Sequence, residues 1–399
     1  GGPQHDTDRK IDVVDARVVF LTHYLPLYQV QVLKAIASRV RDFQVLLSTP
    51  IEPNRDFELD WGGLDVTVQR AITFRRSWRH RDADQRVRFT DPLFVHVPID
   101  TQSQLRRRRP DIVMSLELGA RSLGAVRYCR RHSAKSILCT YMSEHTERHR
   151  GRLRSLLRRY LVRRADAITY NGPSCRDYLR AIGVADEKLY RLAYAADDRT
   201  AHSSEVSRND SLTRSKLLYV GQLSDRKGIL PLIEQLSRYC INRRSRRVVL
   251  RVVGEGPLRQ SVADAKTPEN FEIQMLGSLA PSRLRQEMAA CGASVAPTLA
   301  DEWLLVANES LHAGLPVIGS RYAQAVTTLI RQDENGWVYD PVIEGSLDEA
   351  LDRYFELSEM EMQHLWKRCR RSIEHCTPTW AAAGAVEAVA RLVRKEVPS

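Results

Sequence analysis

The sequence predicts an α/β protein built on two doubly wound parallel sheets, one in each half of the chain. Three observations predict it. Short apolar strands rich in Val, Ile and Leu alternate with segments of helical period throughout. The polar stretch Ser203-Ser204-Glu205-Val206-Ser207-Arg208-Asn209-Asp210 parts the halves as a linker would. The chain has 399 residues, 43% of them hydrophobic, enough for two ordinary cores.

The first half opens, after a lead Gly1 to Lys10 that reads as disordered, with the apolar strand Arg17 to Leu21. A helix from Tyr28 to Ser38 and a second strand, Phe43 to Leu47, follow. Further strands are expected at Asp111–Ser115, Ser136–Thr140 and Ala167–Tyr170, with helices between them. Parallel strands joined in this way bind ligands beyond their carboxyl ends, so the loops after them are the candidate sites. Those loops carry His23, Tyr24 and Tyr28 after the first strand. Glu144, His145, Glu147 and His149 follow Ser136–Thr140.

The second half begins with the buried strand Lys216–Val220, the loop Gly221-Gln222-Leu223-Ser224-Asp225-Arg226-Lys227-Gly228 and a helix from Ile229. Next come the strand Val248–Val253 and the turn Gly254-Glu255-Gly256-Pro257, with Pro257 expected to open a helix. This turn lacks the third glycine of a dinucleotide-binding fingerprint, which argues against hydride transfer. The strands Phe271–Ser278 and Cys291–Pro297 lead into the segment with most chemistry, Asp301-Glu302-Trp303-Leu304-Leu305-Val306-Ala307-Asn308-Glu309. It sets two carboxylates eight residues apart, the first in a loop and the second inside a short helix closed by Gly314. A carboxylate accepts two hydrogen bonds from a vicinal diol, and N–H groups at a helix start hold a diphosphate.

This acidic segment resembles the Glu-x7-Glu signature of the retaining glycosyltransferases of family 4, with Asp301 at the first Glu. Gly221 to Gly228 resembles that family's Val-Gly-Arg-Leu-x-x-x-Lys-Gly loop, with Gln222 at the Arg position and Arg226 available in its place. Gly254 to Arg259 matches Gly-x-Gly-Pro-x-Arg, and Asn335-Gly336-Trp337-Val338 fits an Asn-Gly-x-Leu turn. The resemblance covers roughly the second half and implies the GT-B fold, two Rossmann-like domains facing across a cleft. The domains implied are 11–200 for the acceptor, a linker at 201–213, and 214–378 for the nucleotide sugar. Residues 379–399 would form a helix crossing back to the first domain.

The same resemblance implies the roles of residues. Lys227, with Gln222 or Arg226, would meet the diphosphate together with main-chain N–H groups of Trp303, Leu304 and Leu305. Gly254, Leu276 and Gly277 would shape the nucleotide pocket, Glu309 would hold the ribose, and Asp301 the donor sugar. Leu304 stands where a glycine is common. His145 is the first choice among Glu144, His145, Glu147 and His149 to face the donor sugar, and His23, Tyr24 and Tyr28 would line the acceptor side. The co-substrate implied is a nucleotide diphosphate sugar of UDP, GDP or ADP type, with no metal required.

The net charge of +12 lies in the first half, where about 36 basic residues face 24 acidic ones before Arg199. The excess gathers at Arg75 to Arg81, at Arg106 to Arg109, and along an expected amphipathic helix within Arg148 to Arg164 that carries Leu153, Leu156, Leu157, Tyr160 and Leu161. Such a half suits a glycan or lipid-linked acceptor or an anionic membrane surface. Nothing in it resembles a nucleic-acid module. Seven cysteines without paired spacing fit reduced thiols, and no apolar run reaches the ~20 residues that span a bilayer. The expected place is cytoplasmic, peripheral at the inner membrane face. Two other readings stay open: a catalytically silent sugar-nucleotide-binding protein, and a protein that binds anionic polymers or membranes.

Overall fold

The computed structural model describes residues 13–51, 60–82, 86–196 and 211–394. The lead Gly1 to Lys10 and the linker Ser203 to Asp210 lie outside the described residues. The first sheet takes strands β1 (Val14–Thr22), β2 (Val40–Leu47) and β3 (Asp65–Val68), then β6 (Ile112–Leu116), β7 (Lys135–Cys139), β8 (Ala167–Tyr170) and β9 (Leu189–Arg191). All pair parallel in the order β3-β2-β1-β6-β7-β8-β9. Between β3 and β6 the chain inserts an antiparallel hairpin, β4 (Ala71–Arg81) and β5 (Arg88–Pro98), whose register pairs Trp78 with Asp91. The arginines of Arg75 to Arg81 therefore sit on a strand that sequence periodicity had not indicated.

The second sheet takes β10 (Lys216–Val220), β11 (Val248–Val253), β12 (Phe271–Gly277), β13 (Ala293–Ala296), β14 (Val317–Ser320) and β15 (Gly336–Tyr339), parallel in the order β12-β11-β10-β13-β14-β15. The strand order reverses beside β1 and β6 in the first sheet and beside β10 and β13 in the second. Chains leave such a switch point on opposite faces, which opens a crevice at the carboxyl ends. This is the two-domain α/β architecture expected from the alternation of strands and helices.

Each sheet is sandwiched by helices, and their apolar faces make separate cores. The core of the first sheet is completed from far along the chain. Helix Pro378–Arg394 packs against helix Leu27–Ala37 and strands β1 and β9, burying Ala381, Ala385, Ala388 and Val389. Alanines let the helix approach closely, and a Cβ on Gly384 would run into the backbone of Arg191. The Arg191 guanidinium lies 3.9 Å over the ring of Trp380 and pins the start of the helix.

Two helices differ from expectation. The arginine-rich helix begins at Arg152, after Gly151, and only its inner face, Arg158, Leu161 and Val162, is buried. Leu153 and Leu156 point outward, 84% and 62% exposed. In the second domain Pro257 falls in a turn, and the helix starts two residues later at Arg259. The reason is the tight seating of this turn on Leu223, whose carbonyl accepts from the Leu258 N–H at 2.9 Å. All seven cysteines are buried free thiols. Among the described residues no helix is long and apolar enough to cross a membrane.

Candidate active site

The loops after β10 and β11 are zipped together. Gly221 N–H donates to the Val253 carbonyl at 3.0 Å, and Leu223 N–H to that of Glu255 at 2.9 Å. Gly254 has φ 137°, and a Cβ there would fall on the Gly221 carbonyl oxygen, so glycine is required on both counts. Its N–H donates to Gly277, itself at φ 66°, at the end of β12. These turns form the floor on which Gln222 sits, its carbonyl held by the Tyr219 hydroxyl at 2.8 Å.

Above that floor, a single 3₁₀ turn, Asp225–Lys227, ends at Gly228 in the left-handed region and aims two cations at the acidic loop. Lys227 Nζ donates to Asp301 Oδ2. Arg226 Nη1 lies 3.8 Å from the same oxygen and donates to the Ala300 carbonyl at 3.1 Å. Burial would raise the Asp301 carboxyl, but Lys227 and Arg226 outweigh it and hold the group below the usual carboxylate range. The Trp303 N–H also turns to Asp301.

Leu304 follows at φ 89°, ψ 75°, a left-handed conformation that L-residues pay to adopt, and it is the residue before helix Leu305–His312. Leu304 and Leu305 thus belong to the first turn, whose N–H groups have no acceptor within the helix. One turn further in, Glu309 lies on that helix, and burial alone pushes its carboxyl up to about 7. An acid desolvated without a cation beside it is poised to gain from a ligand that donates hydrogen bonds to it.

Across the crevice, Glu117 directly follows β6 and has φ 67°. Burial acts to raise this carboxyl, yet His23, Arg121, Arg158 and Arg154 hold it low. It faces Glu302 electrostatically: burial first, then the charges of Glu117 and Glu147, raise Glu302 to about 7. Sequence reasoning did not select Glu117 or Glu302. The available signal was position, since Glu117 directly follows a strand at the switch point and Glu302 adjoins Asp301.

Two sequence profiles match this chain, "Glycosyl transferases group 1" over residues 214–356 and "Glycosyl transferase 4-like domain" over residues 28–195. The chain belongs to the group 1 glycosyltransferases. Solved structures agree on the fold. The glycosyltransferase resembles Anabaena HepE in complex with UDP, at 14% identity and TM-score 0.69, over 94% of this chain and all of that one. It resembles the lipopolysaccharide outer core galactosyltransferase WaaB, at 12% identity and TM-score 0.66, over 96% of this chain and all of the other. Sucrose-phosphate synthase from Thermosynechococcus elongatus matches at 15% identity and TM-score 0.66, over 95% and 98% of the two chains. No curated protein matched by sequence. The GT-B fold expected from the motifs is thereby shown, and the protein is a transferase enzyme.

The glycosyltransferase brings Lys227, Arg226, Asp301, Trp303 and Leu304 together at one switch point, with Leu305 and Glu309 on the helix that follows. His145 sits at the seam between the two domains. Its Nε2 hydrogen-bonds the Leu299 carbonyl across the domain seam at 2.8 Å, and its ring stacks on Tyr322 at 4.8 Å. Burial lowers its basicity, and the same cause, with His145 beside it at 4.6 Å, takes His80 down to about 4. Of the alternatives in that loop, Glu144 pairs with Arg148 on the surface and Glu147 is sandwiched by Arg154 and Arg158. His149 takes φ 59° in the turn beyond them.

In the loop after β1 the group 1 enzyme buries Tyr24, which meets His23 edge-on at 4.5 Å. Tyr28 enters an aromatic column. It lies 5.4 Å from Tyr194, which stacks on Trp303 of the acidic loop. Leu276 is half-buried near the end of β12, beside Gly277.

Proposed function

We propose that this glycosyltransferase moves a sugar from a nucleotide diphosphate sugar to a hydroxyl with retention at the anomeric carbon. The observation that carries the proposal is the arrangement at the second switch point: two cations on Asp301 beside a first helical turn, and an unneutralised Glu309 one turn in. The cations and helix N–H groups suit the departing diphosphate, and Glu309 suits the ribose diol. The C1–O bond to the diphosphate breaks while the acceptor oxygen bonds C1 on the same face. The acceptor proton passes to the leaving phosphate oxygen. Asp301, oriented by Lys227, would hold a sugar hydroxyl. HepE is solved with UDP and with UDP-glucose, which makes UDP the first donor to try.

The acceptor proposed is a glycan or lipid-linked hydroxyl. Exposed Leu153 and Leu156 on an arginine-rich helix favour a protein seated on an anionic membrane face, where a lipid-linked acceptor would be met. The deciding experiment is calorimetric titration with UDP, GDP and ADP, repeated on Glu309→Ala, followed by NMR of the anomeric configuration of the product. Binding of one nucleotide that weakens by about 1.5–3 kcal/mol in the variant supports the reading. Tight binding with neither transfer nor donor hydrolysis would instead mark a silent sugar-nucleotide-binding protein. Inversion would defeat the stereochemical claim.

A further inference from the structure

We propose that Asp91, supplied by the hairpin of the first domain, is a positioning residue that fixes Arg226 for the donor diphosphate. This rests on the reading of the site as a nucleotide-sugar pocket. Asp91 lies on β5, 7% exposed, and its Oδ2 accepts from Arg226 Nε at 2.6 Å. Its Oδ1 is buried without a hydrogen-bond partner. A buried carboxylate that leaves one oxygen unpaired costs stability, so the pair is poorly made as a mere fastener.

What the contact does is set a direction. With Nε on Asp91 and Nη1 on the Ala300 carbonyl, the guanidinium plane is fixed at two corners. A guanidinium is a planar fork whose worth to a phosphate depends on orientation, whereas the Lys227 ammonium is a point charge. Gln222 brings no charge to the loop after β10, so Arg226 and Lys227 supply its cations. The hairpin is seated here by apolar contacts as well, with Val87 and Phe89 against Leu299 and Ala300. Because Asp91 and Arg226 belong to different domains, the fork is aimed when the two domains are together. Closing the cleft and completing the diphosphate site are then a single event.

The test is calorimetric titration of the wild type, Asp91→Asn, Arg226→Gln and the double variant with UDP, GDP and ADP and with the three free nucleosides. The expected result is that Asp91→Asn weakens diphosphate binding about tenfold, leaves nucleoside affinity unchanged, and adds nothing on the Arg226→Gln background. Asp91→Glu, which keeps the charge, should recover part of the loss. Diphosphate affinity that is unchanged in Asp91→Asn, or that rises because Asp91 had been holding Arg226 away from the ligand, overturns the proposal. An equal fall in nucleoside affinity also overturns it, because the effect is then collapse of the loop. A wild type that prefers no diphosphate over its nucleoside defeats the reading of the pocket, and the role of Asp91 with it.

Discussion

The indole of Trp303 lies parallel to the phenol ring of Tyr194, centroids 5.7 Å apart and planes 7° from parallel, although the two residues belong to different domains. Trp303 also donates its Nε1–H to Asn308 at 2.8 Å, which ties the acidic loop to the helix it precedes. Trp303→Phe keeps an apolar ring in the seam and loses the hydrogen bond, so it should cost about 1 kcal/mol. Trp303→Ala removes both and should cost about 3–5 kcal/mol. Thermal melts followed by tryptophan-independent circular dichroism would separate the two values.

Leu304 offers an unusual ordering of substitutions. Its side chain is 8% exposed, so truncation to Ala loses burial while keeping the left-handed strain. Glycine loses the same burial and relieves about 1–2 kcal/mol of strain. Leu304→Gly should therefore be the more stable of the two by about 1 kcal/mol, the reverse of the usual ranking, as read from melting temperatures. It should also widen the pocket, detectable as a broadened range of accepted donor sugars.

Glu309 carries a pH signature. With its folded carboxyl raised to about 7 and an ordinary value near 4.5 when unfolded, the folded state holds more proton between those limits. Stability attributable to this group therefore falls as pH rises from about 4.5 through 7. Glu309→Gln should raise the melting temperature at pH 8, by about 1–2 kcal/mol of stability, and change little at pH 4.5. Nucleotide affinity should move the other way, rising from pH 6 to 8 as the carboxylate forms. A pH-independent affinity would remove Glu309 from ribose binding.

Gly254→Ala should be severe. A Cβ there meets the Gly221 carbonyl, and φ 137° is open to glycine alone among ordinary residues. A loss of about 3 kcal/mol or more, with abolished nucleotide binding, is the expected outcome by melting and titration.

For the membrane reading, Leu153→Asp with Leu156→Asp should abolish co-sedimentation with phosphatidylglycerol vesicles while leaving the melting temperature unchanged, because both side chains face solvent. Equal binding of wild type and variant would exclude this face.

Most strands of the two sheets were legible because parallel strands buried on both sides are nearly continuous apolar runs, as in Val248–Val253, whereas short edge strands such as β3 and β9 carry too few apolar residues to stand out. The loops after β10 and β11 were legible as tight turns because their glycines are required by backbone geometry, as Gly254 makes plain. The hairpin was not, since β4 alternates arginines with Trp78 and His80 and owes its order to docking on the other domain. His145 and Glu117 illustrate the same limit. Both follow strands of the first sheet, but which of them meets the seam and which the crevice depends on the packing of the second domain, a long-range relation that local pattern does not carry.

The helix Pro378–Arg394 has a consequence for how the protein is made. It fills the core of the first sheet, yet roughly 190 residues separate it from β9, the last strand of that sheet. At about 5–20 residues per second, a ribosome needs about 10–40 seconds to deliver it. Throughout that interval the nascent first domain carries an open apolar groove along Leu27–Ala37 and β1. It is the later-synthesised second domain that can finish first, and the growing chain is a natural client for a chaperone that shields such grooves.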